Sequence, residues 1–234
     1  MTALIDSTEM YLRTLFELRE EGIPPLRARF VERLHVSAPA ASESTSRLAH
    51  EGLVSLADDR TVQFTEKGLA RATAVMRKHR LAELLLTKVI GLEWSLVHNE
   101  ACRWEHVISD EVEARLTDLL GDPGRCPFGN VIPNGRNETA TTGPVVPRSL
   151  LGAADRSRLN ATPVTVEWIS ERLQADEAAM RRLRDGGVVP GNRLTALARG
   201  DVIEVRPADA KDAEDVAPAE LPRSAAGLVY VSGA

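Results

Sequence analysis

The fold is decided by residues 27–65, RARFVERLHVSAPAASESTSRLAHEGLVSLADDRTVQFT. Residues 27–34 read as a short helix and His35-Val36-Ser37 as a break. A further helix starts near Pro39 and runs to about His50; proline suits a first helical turn because its missing N–H would have no partner there. After Gly52 the period changes. LVSLADDRTVQFT alternates apolar and polar residues around an Asp58-Asp59-Arg60 turn, the pattern of a β-hairpin. Two helices joined by a tight turn and followed at once by a hairpin outline a winged helix-turn-helix. Upstream, about 4–21 reads as an amphipathic helix with Met10, Leu12, Leu15, Phe16 and Leu18 on its apolar stripe. Asp6 or Ser7 is placed to cap it, Asp6 and Glu9 have capping-box spacing, and Gly22 is placed to end it.

In a winged helix the helix after the turn enters a DNA major groove while flanking groups hold phosphates. Arg27, Arg29, Arg33 and Arg47 surround that helix here, and Ser37 and Ser42 are short phosphate donors. Helix-turn-helix outlines also serve as plain packing units; the wing favours DNA. Net charge is −5, but its distribution is uneven. Residues 1–80 carry 12 Lys and Arg against 11 Asp and Glu, and the remainder 17 against 23. A local basic face is compatible with the first segment, and charge alone decides nothing. The hydrophobic fraction of 43% and charged fraction of 27% are those of a soluble globular chain long enough for two or three domains. No secretion signal and no bilayer-spanning run is visible, and two cysteines do not make a disulfide framework. The expected location is cytoplasmic, with no membrane association.

Thr65 is placed to cap a long helix over about 66–90, interrupted by Gly91; helices over about 95–107 and 110–120 follow. These carry more apolar faces than three helices can bury among themselves, so a homodimer is expected. Within them, residues 79–106, HRLAELLLTKVIGLEWSLVHNEACRWEH, hold three of the five histidines together with Glu83, Glu100, Cys102 and Glu105. His79 and Glu83 are four apart, and Cys102, Glu105 and His106 form C-x-x-E-H, each set on one face of a continuous helix. A thiol, imidazoles and carboxylates at such spacing suit a divalent transition metal. From Gly121 to about Pro163 periodicity is lost, as in a connector and linker. VTVEWI, RLTALA, DVIEVR and GLVYVS then read as strands of a small barrel-like domain, ADEAAMRRLRDGG as its helix and Lys211–Glu220 as a loop. The expected class is α+β, mainly α. The expected domains are a winged helix (1–73), a helical metal-binding and dimerisation domain (74–140), a linker (141–160) and a β-rich third domain (161–234).

These strings carry a resemblance. STEMYLRTLFELREEGIPPLRAR, AVMRKHRLAE and VHNEACRWEHVISDEVE resemble the iron-dependent repressors of the diphtheria toxin repressor family, densely over residues 5–133. SERLQADEAAMRRLRDGGVVPG is similar to that family's SH3-like third domain. The resemblance implies two metal sites per subunit. A regulatory site would use Met10, Cys102, Glu105 and His106; an ancillary site would use His79, Glu83 and His98, completed by Glu171 and Gln174. It sets Glu100 aside. It also implies an anion held by Arg80, Cys126 and Asn130, with Cys126 standing where relatives commonly have Ser. The DNA-facing set becomes Ser7, Arg27, Ala28, Ser37, Pro39, Ser42, Glu43 and Arg47. Relatives usually carry Gln at Glu43 and Thr at Ala40, which changes the base preference to be expected, since carboxylates accept from cytosine and amides pair with adenine.

Thiolate and thioether donors beside imidazole and carboxylate favour Fe2+, Co2+ or Ni2+ over Mn2+, and cellular availability favours Fe2+. Mn2+ is the alternative, and Co2+, Ni2+, Mn2+ or Zn2+ are surrogates. The implied function is an Fe2+-activated repressor that binds palindromic operators as a dimer, one or two dimers per site, and controls iron-uptake genes. A manganese-responsive or specialised regulator with an altered operator is the alternative. A metal-dependent hydrolase and a metal buffer are weaker readings, because neither needs a recognition helix.

Overall fold

The computed structural model describes residues 7–134, 148–156, 162–209 and 218–233, so the capping role expected of Asp6 lies outside the described residues. The described chain falls into two compact units. The first takes its residues from Met1–Ala82, Cys102–Asp118 and Ile132–Val146, the second from Glu83–Ala101, Leu119–Val131 and Pro147–Ala234. No helix among the described residues is long and apolar enough to cross a membrane.

In the first unit, α1 (Ser7–Glu20) buries Tyr11, Leu12, Leu15 and Leu18, one apolar stripe at helical spacing. Gly22, at φ 67, ends it as expected: the Ile23 N–H reaches back 2.9 Å to the Leu18 carbonyl. The helix α2 (Arg27–Leu34) stops at His35, which takes a left-handed conformation at φ 53. Two residues later Ser37 caps α3 (Ala38–His50), its side chain accepting from the Ala40 N–H with Pro39 in the first turn. The wing is the antiparallel pair β1 (Val54–Leu56) and β2 (Val62–Phe64), with Ser55 opposite Gln63. Its turn is fixed by Asp59, whose Oδ1 accepts from the Thr61 N–H at 3.0 Å and the Thr61 hydroxyl at 2.6 Å. Tyr11 stacks on Phe30 with ring centroids 5.6 Å apart, and this pair, Leu48, Leu53 and Val62 join α1, α2, α3 and the wing in one core.

Thr65 accepts from the Gly68 N–H at 3.1 Å and starts α4 (Glu66–Leu85), which continues into a wider π-helical turn, Leu86–Ile90, closed by Gly91 at φ 73. Next come α5 (Trp94–Trp104) and α6 (Asp110–Leu120). The α5 helix is shorter than the sequence pattern implies. It stops at Trp104, so Glu105 and His106 lie on the turn after it and not on one continuous face with Cys102. Three causes act together. Val107 and Ile108 are β-branched, Ser109 caps α6 by accepting from the Val112 N–H, and the Glu105 and His106 side chains are taken by partners on other elements. Val107 is 76% exposed, and α6 leaves Val112 and Leu119 exposed, apolar surface of the kind a dimer covers.

The second unit contains a six-stranded antiparallel sheet in the order β3-β8-β4-β5-β6-β7. Its strands are β3 (Arg148–Ser149), β4 (Val164–Ile169), β5 (Arg193–Arg199), β6 (Val202–Pro207), β7 (Ala219–Pro222) and β8 (Val229–Ser232). Four short helices accompany them: α7 (Leu150–Arg156), α8 (Glu171–Gln174), α9 (Glu177–Asp185) and α10 (Arg223–Ala226). Two stretches differ from the sequence reading. Residues 148–156, expected within the linker, form β3 and α7, because Leu150, Ala153 and Ala154 have apolar surface to bury. The expected Lys211–Glu220 loop overlaps β7, which pairs with β6 with Leu221 opposite Ile203; the pattern there was too short to read as a strand.

Candidate metal centre and nucleic-acid interface

The first unit gathers its donors around one arginine. Arg13 lies on α1 three residues beyond Met10, hence on the same helical side. Its Nη1 donates to the Cys102 Sγ at 3.1 Å and to both Glu105 carboxylate oxygens at 3.0 Å, while its Nε donates to Glu17 Oε1 at 3.0 Å. His79 Nδ1 stands 2.6 Å from Glu105 Oε2, and His106 Nε2 stands 3.2 Å from Glu105 Oε1. The other His106 nitrogen, Nδ1, lies 2.6 Å from Glu9 Oε2, and Glu9 also pairs with Arg71 at 3.2 Å. Met10 is half-buried on the first turn of α1. Burial pushes the Glu105 carboxyl up, but the positive charges of Arg13, His79 and His106 outweigh it and hold the group below its ordinary value. Glu105 is therefore a buried carboxylate kept charged by cations. A thiol, a carboxylate and the His106 imidazole grouped about the Arg13 guanidinium make a donor set that fits a divalent transition metal, while His79, expected at the ancillary site, turns its Nδ1 to Glu105.

In the second unit, His98 Nδ1 lies 3.3 Å from Glu83 Oε1, and both side chains are buried. Glu171 and Gln174 are buried on α8, which Ser170 caps. Gln174 Nε2 donates to Asn130 Oδ1 at 3.0 Å and to the Ile169 carbonyl at 2.7 Å. Its Oε1 is buried with no hydrogen-bond partner among the described residues. A buried amide oxygen without a donor is the kind of group a cation satisfies, so Gln174 is chemically suited to the ancillary metal expected of it. Asn130 is positioned by the turn 126–130, where the Cys126 N–H bonds the Asn130 carbonyl and Phe128, fully buried, packs on Trp94 at 5.0 Å. The turn lies hard against β4. Gly129 is at φ 85, and a Cβ there would come within 2.0 Å of the Glu167 carbonyl oxygen.

The residues expected to hold an anion have protein partners. Arg80, fully buried, gives its guanidinium to the Glu20 carboxylate at 2.9 and 2.6 Å, with the Phe16 ring 5.8 Å from its centre. Cys126 Sγ lies 3.7 Å from Asn130 Oδ1.

On the recognition helix α3, Pro39 and Glu43 are exposed and Ser42 is half-buried; Arg27 and Ala28 are exposed at the start of α2. Two of the arginines expected to face phosphate are engaged within the protein. Arg33 pairs with Glu21 and Glu17 and its side chain is only 7% exposed, so it holds α2 to α1. Arg47 donates to Thr8 Oγ1 at 2.9 Å and Ser7 Oγ at 3.2 Å, clamping the recognition helix to the first turn of α1. The sequence reading missed Glu9, Arg13 and Arg71. The signal was available for Arg13, which sits i+3 from Met10, but an arginine on an amphipathic helix reads by default as solvated.

A winged helix whose first helix meets a cluster of metal-type donors defines a metal-responsive DNA-binding regulator. Residues 3–62 match the domain described as iron dependent repressor, N-terminal DNA binding domain, and residues 65–134 the one described as iron dependent repressor, metal binding and dimerisation domain. The chain belongs to the iron-dependent repressor family, whose members are transcriptional repressors and not enzymes. It is 50% identical over 201 residues to the iron-dependent repressor IdeR of Mycobacterium tuberculosis (strain ATCC 25618 / H37Rv), covering 83% of this chain and 85% of that protein. It is 45% identical over 205 residues to the diphtheria toxin repressor of Corynebacterium diphtheriae, covering 85% and 88%. Among solved structures, a manganese-dependent transcriptional repressor in complex with manganese is 32% identical, with a TM-score of 0.79 over 97% of this chain and 100% of that one.

Proposed function

We propose that the chain is a repressor activated by Fe2+, with a regulatory site at Met10, Cys102, Glu105 and His106 and an ancillary site at His79, Glu83, His98, Glu171 and Gln174. It acts in the cytoplasm as a homodimer on palindromic operators of iron-uptake genes, with one or two dimers on each. The carrying observation is that Cys102, Glu105 and His106 converge on the first helix of the winged helix, through Arg13 and Glu9. Relatives named iron-dependent repressor, together with a soft thiol and thioether in the donor set, favour Fe2+ over Mn2+.

A metal would be held by Met10 on α1, Cys102 near the end of α5 and Glu105 and His106 on the turn after it, and would supply a divalent charge there. The chain's own residues do the rest. Arg47 carries the position of α1 to the recognition helix through Ser7 and Thr8, and Arg71 fixes Glu9 to α4. A ligand that prefers one placement of α1 therefore selects one placement of α3, by as much free energy as its preference contains. Ser7, Arg27, Ala28, Ser37, Pro39, Ser42 and Glu43 form the DNA-facing set, and Arg47 orients Ser7 within it. Linkage makes the effect reciprocal, so operator DNA tightens metal binding by the same factor.

The test is a gel shift on operator duplexes selected from a random pool. Expected is retention with excess Fe2+ under anaerobic conditions, loss with chelator, and loss in Cys102→Ala at any metal level. Equal operator affinity with metal and with chelator overturns the reading.

A further inference from the structure

We propose that Arg13 is a built-in competitor for the regulatory metal: a tethered cation that occupies the donors of Cys102 and Glu105 and sets the threshold and selectivity of metal binding. This rests on the regulatory-site reading above. The guanidinium is buried, with a side-chain exposure of 6%, and a single nitrogen, Nη1, reaches Cys102 Sγ and both Glu105 oxygens. Three donor atoms from two residues converging on one nitrogen is how a cation is held.

Metal–carboxylate bonds are about 2.0–2.2 Å and metal–thiolate bonds about 2.3 Å, much shorter than the contacts to Arg13. A metal taking the same atoms leaves no room for Nη1 beside it. Arginine cannot leave as a neutral group, because the guanidinium stays charged. It must swing away, and Glu17 is the place prepared for it: Glu17 Oε1 already accepts from Nε at 3.0 Å. Metal binding is thus an exchange of one cation for another.

Exchange has two consequences. The donors stay gathered without metal, because Glu105 and Cys102 are held by a side chain of α1 itself. An incoming ion must also outbid a charged hydrogen-bonding group. A hard, oxygen-seeking ion gains only Glu105 from the contested pair, whereas a thiophilic ion gains Cys102 as well. The cost of displacing Arg13 is common to both, so it leaves the weaker-binding hard ions such as Mg2+ below the threshold that a thiophilic ion clears.

The experiment is a Co2+ titration of the full chain, followed by the visible ligand-field bands and the thiolate-to-cobalt charge-transfer band. It is run on wild type, Arg13→Gln, Arg13→Lys and Glu17→Gln, with and without millimolar Mg2+. Removing the competing charged hydrogen bonds in Arg13→Gln is expected to tighten Co2+ binding by about tenfold and to make it more sensitive to Mg2+. Arg13→Lys, which keeps the charge and loses the fork, falls between the two. Glu17→Gln, which weakens the resting place, binds Co2+ more weakly than wild type. A folded Arg13→Gln with unchanged or weaker Co2+ affinity overturns the proposal. Should that variant fail to fold, unchanged or tighter binding by Glu17→Gln overturns it instead. Absence of the thiolate band in wild type rejects the regulatory site itself, a different failure from that of the exchange.

Discussion

Removing Arg13 and Glu105 singly and together from the metal-free chain measures the pair at the centre of the first unit. Both side chains are buried, at 6% and 0% exposure, and the contact is made at 3.0 Å to each carboxylate oxygen. Deleting one partner of such a pair strands the other, at about 3–5 kcal/mol. His79 and His106 remain beside Glu105, and Glu17 remains on Arg13, so each single change belongs at the low end, about 3 kcal/mol. Arg13→Leu with Glu105→Leu removes both charges and strands neither. The double variant is therefore expected to lose well under the sum, leaving a coupling of about 2–3 kcal/mol. Urea unfolding in chelator, followed by tryptophan fluorescence, reads each cost as a midpoint shift of about 1–2 M for a slope near 2 kcal/mol/M. A coupling below about 1 kcal/mol, the value of an exposed pair, would refute the reasoning: Glu105 would then not be held by a buried cation.

Gly129→Ala drives a Cβ to 2.0 Å from the Glu167 carbonyl at a positive φ, and should destabilise the second unit by about 3 kcal/mol or more, checked by thermal unfolding. An unchanged Tm would show that the turn does not lie against β4. Gln174→Leu removes a donor from Asn130 and from the Ile169 carbonyl, and is expected to cost about 1–3 kcal/mol of stability. The same change should lower the metal bound at saturation from two ions per chain to one, read by calorimetric titration. Retention of two ions would remove Gln174 from the ancillary site.

The winged helix was legible because every boundary carries a local chemical mark: Gly22, Ser37, the Asp58-Asp59-Arg60 turn and Thr65 act through bonds to residues within a few positions. The candidate donors stand out as residue types and spacings, with the family resemblance sorting them into the two proposed sets. What escaped was decided at long range. The helix bearing Cys102 ends at Trp104 in part because partners on α1 and α4 take Glu105 and His106, and although Val107 and Ile108 mark that end locally, nothing in residues 102–108 names those partners. Arg33 and Arg47 looked like phosphate hooks, since sequence gives charge but not the acceptors that α1 brings up. The strand β3 and the helix α7 were lost within a polar run of low periodicity, where burial of Leu150 decides the outcome.

Arg47 clamps Ser7 and Thr8, so a residue of the proposed DNA-facing set lies on the same helical turn as the proposed ligand Met10, within four consecutive positions. So short a lever has no slack. Within this turn operator strength and metal threshold change together, because a substitution that re-aims Ser7 also re-aims Met10. A regulator of this design diversifies by changing both properties at once, or by altering the exposed positions of α3, such as Glu43, that lie outside the shared turn.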